Sequence, residues 1–255
     1  MKKRILSAVI AIFVIVCLSV SALAEEETPT EYNNMVSLLM EGETGTVLQH
    51  NGGYEKVAQG TLNKLMTVLL TAEEIESGGL SINDVVTVSS NANAQTGAVV
   101  WLMPGEEITI EELLKSVIIG NANDASVALA EIVGGNEEEF TGMMNARAFE
   151  LGMRNTVFKN PAGYDCAGQY STPYDMALLC RELLKHEFLY KIMNTWIDRV
   201  RGGQTEIVNE NRLVRTYEGV IGLKASHTEA SGYCLALAAE RNGNCLLYTS
   251  PSPRD

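Results

Sequence analysis

The sequence predicts an α/β protein in which one sheet is left and rejoined by the chain around a helical middle. Three observations predict it. Apolar residues fall in short strand-like runs between 35 and 50, recur every three or four residues from Thr61 to about Lys185, and return to β-rich runs after Glu206.

In order, Met35 to Met40, the turn Glu43-Thr44-Gly45 and the run Thr46 to His50 read as a hairpin supplying two edge strands. From Thr61 the spacing of Leu65, Val68, Leu69, Ala72 and Ile75 is helical, and Gly78-Gly79 stops the helix. A helix over Ile110 to Ile119 opens with Glu106, Glu107, Glu111 and Glu112 near its start, where acids favour the positive end of the dipole. Asn123-Asp124 can cap a second helix carrying Val127, Leu129, Ala130 and Val133 inward, and a third spans Glu137 to Leu151. Asn160-Pro161-Ala162-Gly163-Tyr164-Asp165 is a turn-rich loop, and Ser171-Thr172-Pro173 starts a helix with proline at its first position. Val220 to Lys224 and Tyr233 to Ala239 read as strands separated by polar turn residues. A helical subdomain is therefore expected over roughly 80–190.

Residues 1–24 open with Lys2, Lys3 and Arg4, run apolar to Val20 and end Ser21-Ala22-Leu23-Ala24, the pattern of a secretory signal peptide cleaved after Ala24. Val16 ahead of Cys17 is too bulky for a lipid-attachment site, so the expectation is free export, with 25–34 as a polar linker. The chain is acidic, with 32 carboxylates against 19 basic residues and a formal net charge of −13. That charge argues against nucleic acid as a partner. Cys166, Cys180, Cys234 and Cys245 are too widely spaced for a zinc site or a disulfide framework, and isolated buried thiols are expected. Residues 248–255, Tyr248-Thr249-Ser250-Pro251-Ser252-Pro253-Arg254-Asp255, read as an atypical tail following a truncated end, because Pro251 and Pro253 do not suit a central strand.

Three short boxes carry the chemistry: Thr61-Leu62-Asn63-Lys64, Asn121-Ala122-Asn123 and Lys224-Ala225-Ser226. They resemble the Ser-x-x-Lys, Ser-x-Asn and Lys-Thr-Gly boxes of penicillin-binding proteins and class A β-lactamases, each with a hydroxyl lost or exchanged. Lys64-Leu65-Met66-Thr67, Asn123-Asp124-Ala125, Asn160 to Asp165, Tyr170-Ser171-Thr172 and Gly222-Leu223-Lys224 match in order and spacing. So do Met144-Asn145-Ala146-Arg147-Ala148 and Glu229 to Leu235. Over 35–247 the chain resembles the D-alanyl-D-alanine carboxypeptidases of the low-molecular-weight penicillin-binding class. The resemblance implies a five-stranded antiparallel sheet flanked by helices, with the active site in the cleft beside a helical subdomain. It implies a peptidoglycan stem peptide as substrate, β-lactams as acylating ligands, and no metal or organic cofactor. Membrane association would require a C-terminal anchor beyond this sequence.

Serine-type acyl transfer needs a hydroxyl at a helix start, a base on the same face three residues on, and donors for the developing oxyanion. The resemblance gives these roles to Thr61 as nucleophile and Lys64 as base, with Lys224 as the second cation. Asn121 stands where a hydroxyl would relay the proton, and Asn123 where substrate amides are held. The methyl of Thr61 crowds the attack and restricts its rotamer. Asn121 carries an amide that does not readily exchange protons, and loss of such a group costs about 10²- to 10⁴-fold in rate. Ala225 lacks the hydroxyl that helps hold a substrate carboxylate, Ser226 adds a side chain to a bare strand edge, and the main-chain N–H of His227 takes the place of an oxyanion donor. Gln59-Gly60 stands in place of Pro-Ala before the nucleophile. Two functions follow: a carboxypeptidase with impaired catalysis, or a non-catalytic wall-binding or regulatory protein that keeps the cleft.

Plainer roles fit some of these residues. Asn121 and Asn123 can cap a helix, Lys64 lies near the core, His50 and His186 read as surface residues, the side chain of His227 is given no chemistry, and Met143, Met144 and Met153 read as core filler.

Overall fold

The computed structural model describes residues 35–251; the expected signal peptide, the linker and residues 252–255 lie outside the described residues. The centre is a five-stranded antiparallel sheet of β1 (Ser37–Glu41), β2 (Val47–Asn51), β7 (Val220–Thr228), β8 (Gly232–Arg241) and β9 (Asn244–Pro251), in the order β2-β1-β9-β8-β7. Two ribbons lie outside it, β3 (Val85–Thr87) with β4 (Glu107–Thr109), and β5 (Ile197–Val200) with β6 (Thr205–Val208). The main helices are α1 (Lys64–Ser77), α2 (Ile110–Ile118), α3 (Asn123–Gly134), α4 (Glu137–Glu150) and α5 (Pro173–Leu183).

The expected α/β architecture is present, with two differences in strand order. β1 pairs with both β2 and β9, so only one strand of the first hairpin is an edge. The last strand is the middle of the sheet: Tyr248 stands opposite Leu39 on one side and Leu237 on the other. Residues 248–251, expected in an atypical tail, therefore belong to the central strand. Its hydroxyls are satisfied there, Thr249 donating to the Pro173 carbonyl at 2.7 Å and Ser250 to the Val36 carbonyl at 3.0 Å. Pro251 is tolerated because it is the last position of the strand, past the end of the ladder with β1, where no N–H has to be donated to that side.

The spacing in α1 implies one apolar stripe, yet every residue from Lys64 to Ala72 is buried. Helices α2, α3 and α5 pack around it, and α5 in turn lies against the sheet. The polar members of this helix pair locally, Thr71 donating to the Thr67 carbonyl and Thr67 to the Pro161 carbonyl. Gly78 ends α1 in the left-handed conformation, as its position predicts. Thr109 and Glu112 form a capping box on α2, and Thr172 caps α5 ahead of Pro173.

Among the plainer expectations, Met144 and Met153 are buried, but Met143 is exposed and is not core filler. Cys180 and Cys234 are buried, but Cys166 is exposed. His186 is not on the surface: it is 5% exposed, with Nδ1 2.9 Å from a Glu76 carboxylate oxygen.

Gly163 has φ +81°, and a Cβ there would lie 2.7 Å from both the Gly60 carbonyl oxygen and the Thr61 Cα. Gly78 has φ +84° with nothing within 4 Å of such a Cβ. Gly78→Ala should cost about 1–2 kcal/mol for the left-handed backbone alone, whereas Gly163→Ala should add about 1–3 kcal/mol of overpacking. Urea unfolding of the two variants checks this ordering.

Candidate active site

The chemistry-bearing residues converge from four parts of the chain. A 3₁₀ turn, Gly60–Asn63, carries Thr61 directly into α1 and packs against β7 and β8. Gly60 adopts φ +52°, and the Ser231 hydroxyl fills the space a Cβ at position 60 would need. The residue before Thr61 thus sits in a turn that glycine adopts far more readily than other residues. Gln59 and Asn63 beside it are fully buried, and their side-chain amides find no partner among the described residues.

Lys64 is fully buried. Its Nζ donates to Asn123 Oδ1 at 2.7 Å and to the Ala162 carbonyl at 2.5 Å. Burial pushes its pKa well below the usual lysine value, the nearby Lys224 charge lowers it further, and Glu210 and Asp124 oppose the shift. A neutral amine has two N–H groups and one lone pair. Two acceptors use the N–H groups and leave the lone pair to take a proton.

Asn123 is the first residue of α3, and its amide is fixed from both ends: Oδ1 accepts from Lys64 and Nδ2 donates to the Thr96 carbonyl at 2.6 Å. The capping expected of Asn121 and Asn123 does not occur. Ala122 is the N-cap, whose methyl cannot accept a cap bond, while the flanking amides go elsewhere, Asn121 to Glu210 and Asn123 to Lys64 and Thr96. Asp124 acts one residue away, its carboxylate accepting from the Val100 and Leu102 amides and holding the loop that presents Thr96. Asn121 takes φ +55°, a region asparagine enters more readily than most residues. Its Nδ2 reaches a Glu210 carboxylate oxygen at 3.5 Å, and its Oδ1 has no partner among the described residues.

Lys224, Ala225, Ser226 and His227 lie on β7, the edge strand. The strand is buried from Val220 to Lys224, with Leu223 in the core and Lys224 near Lys64, and its register against β8 shifts between Gly222 and Lys224. Lys224 donates to the Val117 carbonyl at 3.3 Å, and burial pulls its pKa down to about 8 against the opposing field of Glu210. Ser226 is buried with its hydroxyl unpartnered among the described residues, and His227 is exposed, its ring centre 4.3 Å from that of Tyr233 at a tilt of 43°.

The fold thus gathers the three boxes, with Lys64 hydrogen-bonded to Asn123 and near enough to Lys224 for the two like charges to repel. One link is missing: the Thr61 hydroxyl is buried and makes no hydrogen bond to Lys64 or to any other described residue. Ordinary sequence reasoning missed the Ala162 and Thr96 carbonyls, Asp124 as a loop anchor, and Glu210. Carbonyl acceptors leave no mark on side-chain patterns, and Glu210 lies outside every box. The Asn160-Pro161-Ala162-Gly163 turn was the available signal: Asn160 Oδ1 accepts from the Gly163 and Tyr164 amides, so the turn points the Ala162 carbonyl at Lys64.

Comparison with known proteins gives the family and the fold. A family model described as D-alanyl-D-alanine carboxypeptidase matches residues 23–248. The carboxypeptidase DacF of Bacillus subtilis is 38% identical over 99% of this chain and 68% of its own length, and DacC of Escherichia coli is 33% identical over 82% of the chain and 54% of its length. The chain therefore spans about two thirds of the first relative and half of the second. The crystal structure of penicillin binding protein 5 from Haemophilus influenzae superposes with a TM-score of 0.83 at 27% identity, covering 89% of this chain and 67% of that one.

Because burial lowers the Lys224 pKa from 10.5 to about 8, the folded state releases a proton that the unfolded state keeps. Stability should therefore rise with pH between about 8 and 10.5, the penalty being complete below that window. Lys224→Met should flatten this rise and add on the order of 2–3 kcal/mol at pH 7. Denaturant unfolding of both proteins at pH 7 and pH 10 measures it; equal slopes would refute the depressed lysine.

Proposed function

We propose, from the premise that the chain belongs to the D-alanyl-D-alanine carboxypeptidase family, that it acts on peptidoglycan stem peptides outside the cytoplasm by acyl-enzyme chemistry, with impaired turnover. The observation that carries this reading is the buried Lys64 amine, held by Asn123 and the Ala162 carbonyl beside a second buried lysine. In the proposed reaction the Thr61 oxygen attacks the carbonyl carbon of the terminal D-Ala-D-Ala bond while its proton passes to the Lys64 amine. Main-chain N–H groups of Thr61 and His227 receive the oxyanion. The C–N bond then breaks, the departing D-alanine amine takes up a proton, and water hydrolyses the ester to regenerate the hydroxyl. β-Lactams would enter the same first step and stay at the ester. Export by the 1–24 leader belongs to the same proposal.

Impairment follows from three positions. The Thr61 hydroxyl is not aligned with its base, the Asn121 amide cannot pass a proton to the leaving amine, and Ala225 has no hydroxyl for the substrate carboxylate. These groups act as one unit, so their costs do not add. The unpartnered hydroxyls of Thr61 and Ser226, beside an intact Lys64–Asn123 pair, also favour a second reading in which the cleft binds stem peptide without turnover.

Incubation with a fluorescent penicillin followed by intact-mass analysis separates the two: a slow adduct on Thr61 supports the first, and stem-peptide binding without adduct supports the second. Thr61→Ser alone should leave D-alanine release at least about 100-fold below that of Thr61→Ser/Asn121→Ser/Ala225→Thr, the size of one lost proton-transfer group. Rapid release by the unmodified chain would refute impairment.

A further inference from the structure

Among the described residues, Trp101 is the most exposed of the large apolar side chains, at 67%. Its backbone has φ +60°, in the left-handed region where a bulky residue is an outlier. Such strain persists only where the surroundings impose it, and here they do. The buried Asp124 carboxylate accepts from the amides on both sides, Val100 and Leu102, whose own side chains are buried. The Val100 carbonyl accepts from Arg201 at 3.3 Å and from Thr205 at 3.4 Å. The loop is therefore pinned on either side of Trp101 while the indole stays in solvent. Among the described residues that indole has no stacking, cation or hydrogen-bond partner, whereas the Arg215 guanidinium lies 5.8 Å from the ring centre of Trp196.

An aromatic face fixed in this way binds at small entropic cost, and its size limits what it fits. One large aromatic side chain offers about 150–250 Å², well short of the roughly 800 Å² that a partner protein covers. The exposed Met103 adds one more apolar side chain. A pyranose ring matches such a surface: its C–H face is apolar and of the size of an indole, and its hydroxyls remain in water at the rim. The loop also reaches the candidate site. Its Thr96 carbonyl accepts from Asn123 Nδ2 at 2.6 Å, and its Ala98 carbonyl from the Asn123 main-chain N–H at 2.7 Å. Trp101 stands five residues beyond Thr96, so the two are at most about 18 Å apart, the span of an extended five-residue peptide. A sugar at the far end of such a peptide is within reach of Trp101 while the D-alanine end lies beside Asn123.

We propose that Trp101 is a saccharide-binding residue whose exposed face stacks on a pyranose ring of the glycan that carries the stem peptide. The proposal rests on the stem-peptide reading and deepens it: the preferred ligand is a glycopeptide, held at its sugar by the Trp101 loop, and not a free peptide.

The test titrates the purified chain with a synthetic D-Ala-D-Ala pentapeptide and with the same pentapeptide joined to an N-acetylated disaccharide. The glycopeptide should bind the unmodified chain about 3- to 10-fold more tightly than the bare peptide, the range of one aromatic stacking contact. Trp101→Ala and Trp101→Leu should abolish that preference, and Trp101→Phe, which retains a flat ring, should keep most of it. Trp101→Gly should lose the preference as well, yet unfold at a higher urea concentration than Trp101→Ala because glycine relieves the left-handed backbone. Loss of the preference in that variant is then separated from loss of the fold. Equal binding of the two ligands by the unmodified chain, or a preference that survives Trp101→Ala, overturns the saccharide site and leaves the stem-peptide reading standing. If the unmodified chain binds neither ligand, both fail.

Discussion

An amine placed in a protein core sheds its charge or finds partners, and Lys64 constrains the rest of the molecule through that requirement. Its two acceptors come from distant segments, and each is itself fixed. Asn123 is held in place by the Thr96 carbonyl, on a loop whose next turn is anchored by Asp124. The Ala162 carbonyl is aimed by the Asn160 side chain and by Thr67, which takes the neighbouring Pro161 carbonyl one turn along α1. A buried helix, a helix start and a tight turn are thereby locked around one nitrogen. Loss of either acceptor would leave a buried donor unsatisfied, at about 1–3 kcal/mol.

The same framework separates the residues that hold the site together from those that do not. Both lysines, Asn123 and the 160–165 turn are tied into the surrounding structure by hydrogen bonds. Thr61, Asn121 and Ser226 each keep a buried polar atom with no partner among the described residues, so the fold does not depend on these atoms for cohesion. Buried groups without partners are uncommon in folded proteins and concentrate where a ligand is handled.

Helices, hairpin and boxes were legible because period and turn chemistry are local properties. The helix start at Thr172 and the glycine stop at Gly78 appear where the sequence places them. What was not legible depends on partners far away in the chain. The tail around Tyr248 to Pro251 looked foreign by composition, yet it is the strand every other strand of the sheet is built around, since β1 and β8 both pair with it. His186 looked exposed and is packed near Glu76; Asn121 looked like a cap and instead takes a left-handed backbone with its amide toward Glu210. In each case tertiary contact outweighed local propensity.

The bulge in β7 sits beside both the second lysine and a groove of about 1160 Å³. The first five residues of the strand, Val220 to Lys224, are all buried, so the strand is covered on both faces where it carries the lysine. The register shift falls between Gly222 and Lys224, and the residues that follow, Ala225 to His227, line the groove with Trp196 and Tyr233. Gly222 itself is close-packed, with the Met193 carbonyl 2.5 Å from where a Cβ would stand and the Asn194 side chain accepting its amide. One backbone irregularity therefore lies beside both the buried Lys224 and the residues that line the groove. A substitution that straightened the strand would shift the pairing of both against β8.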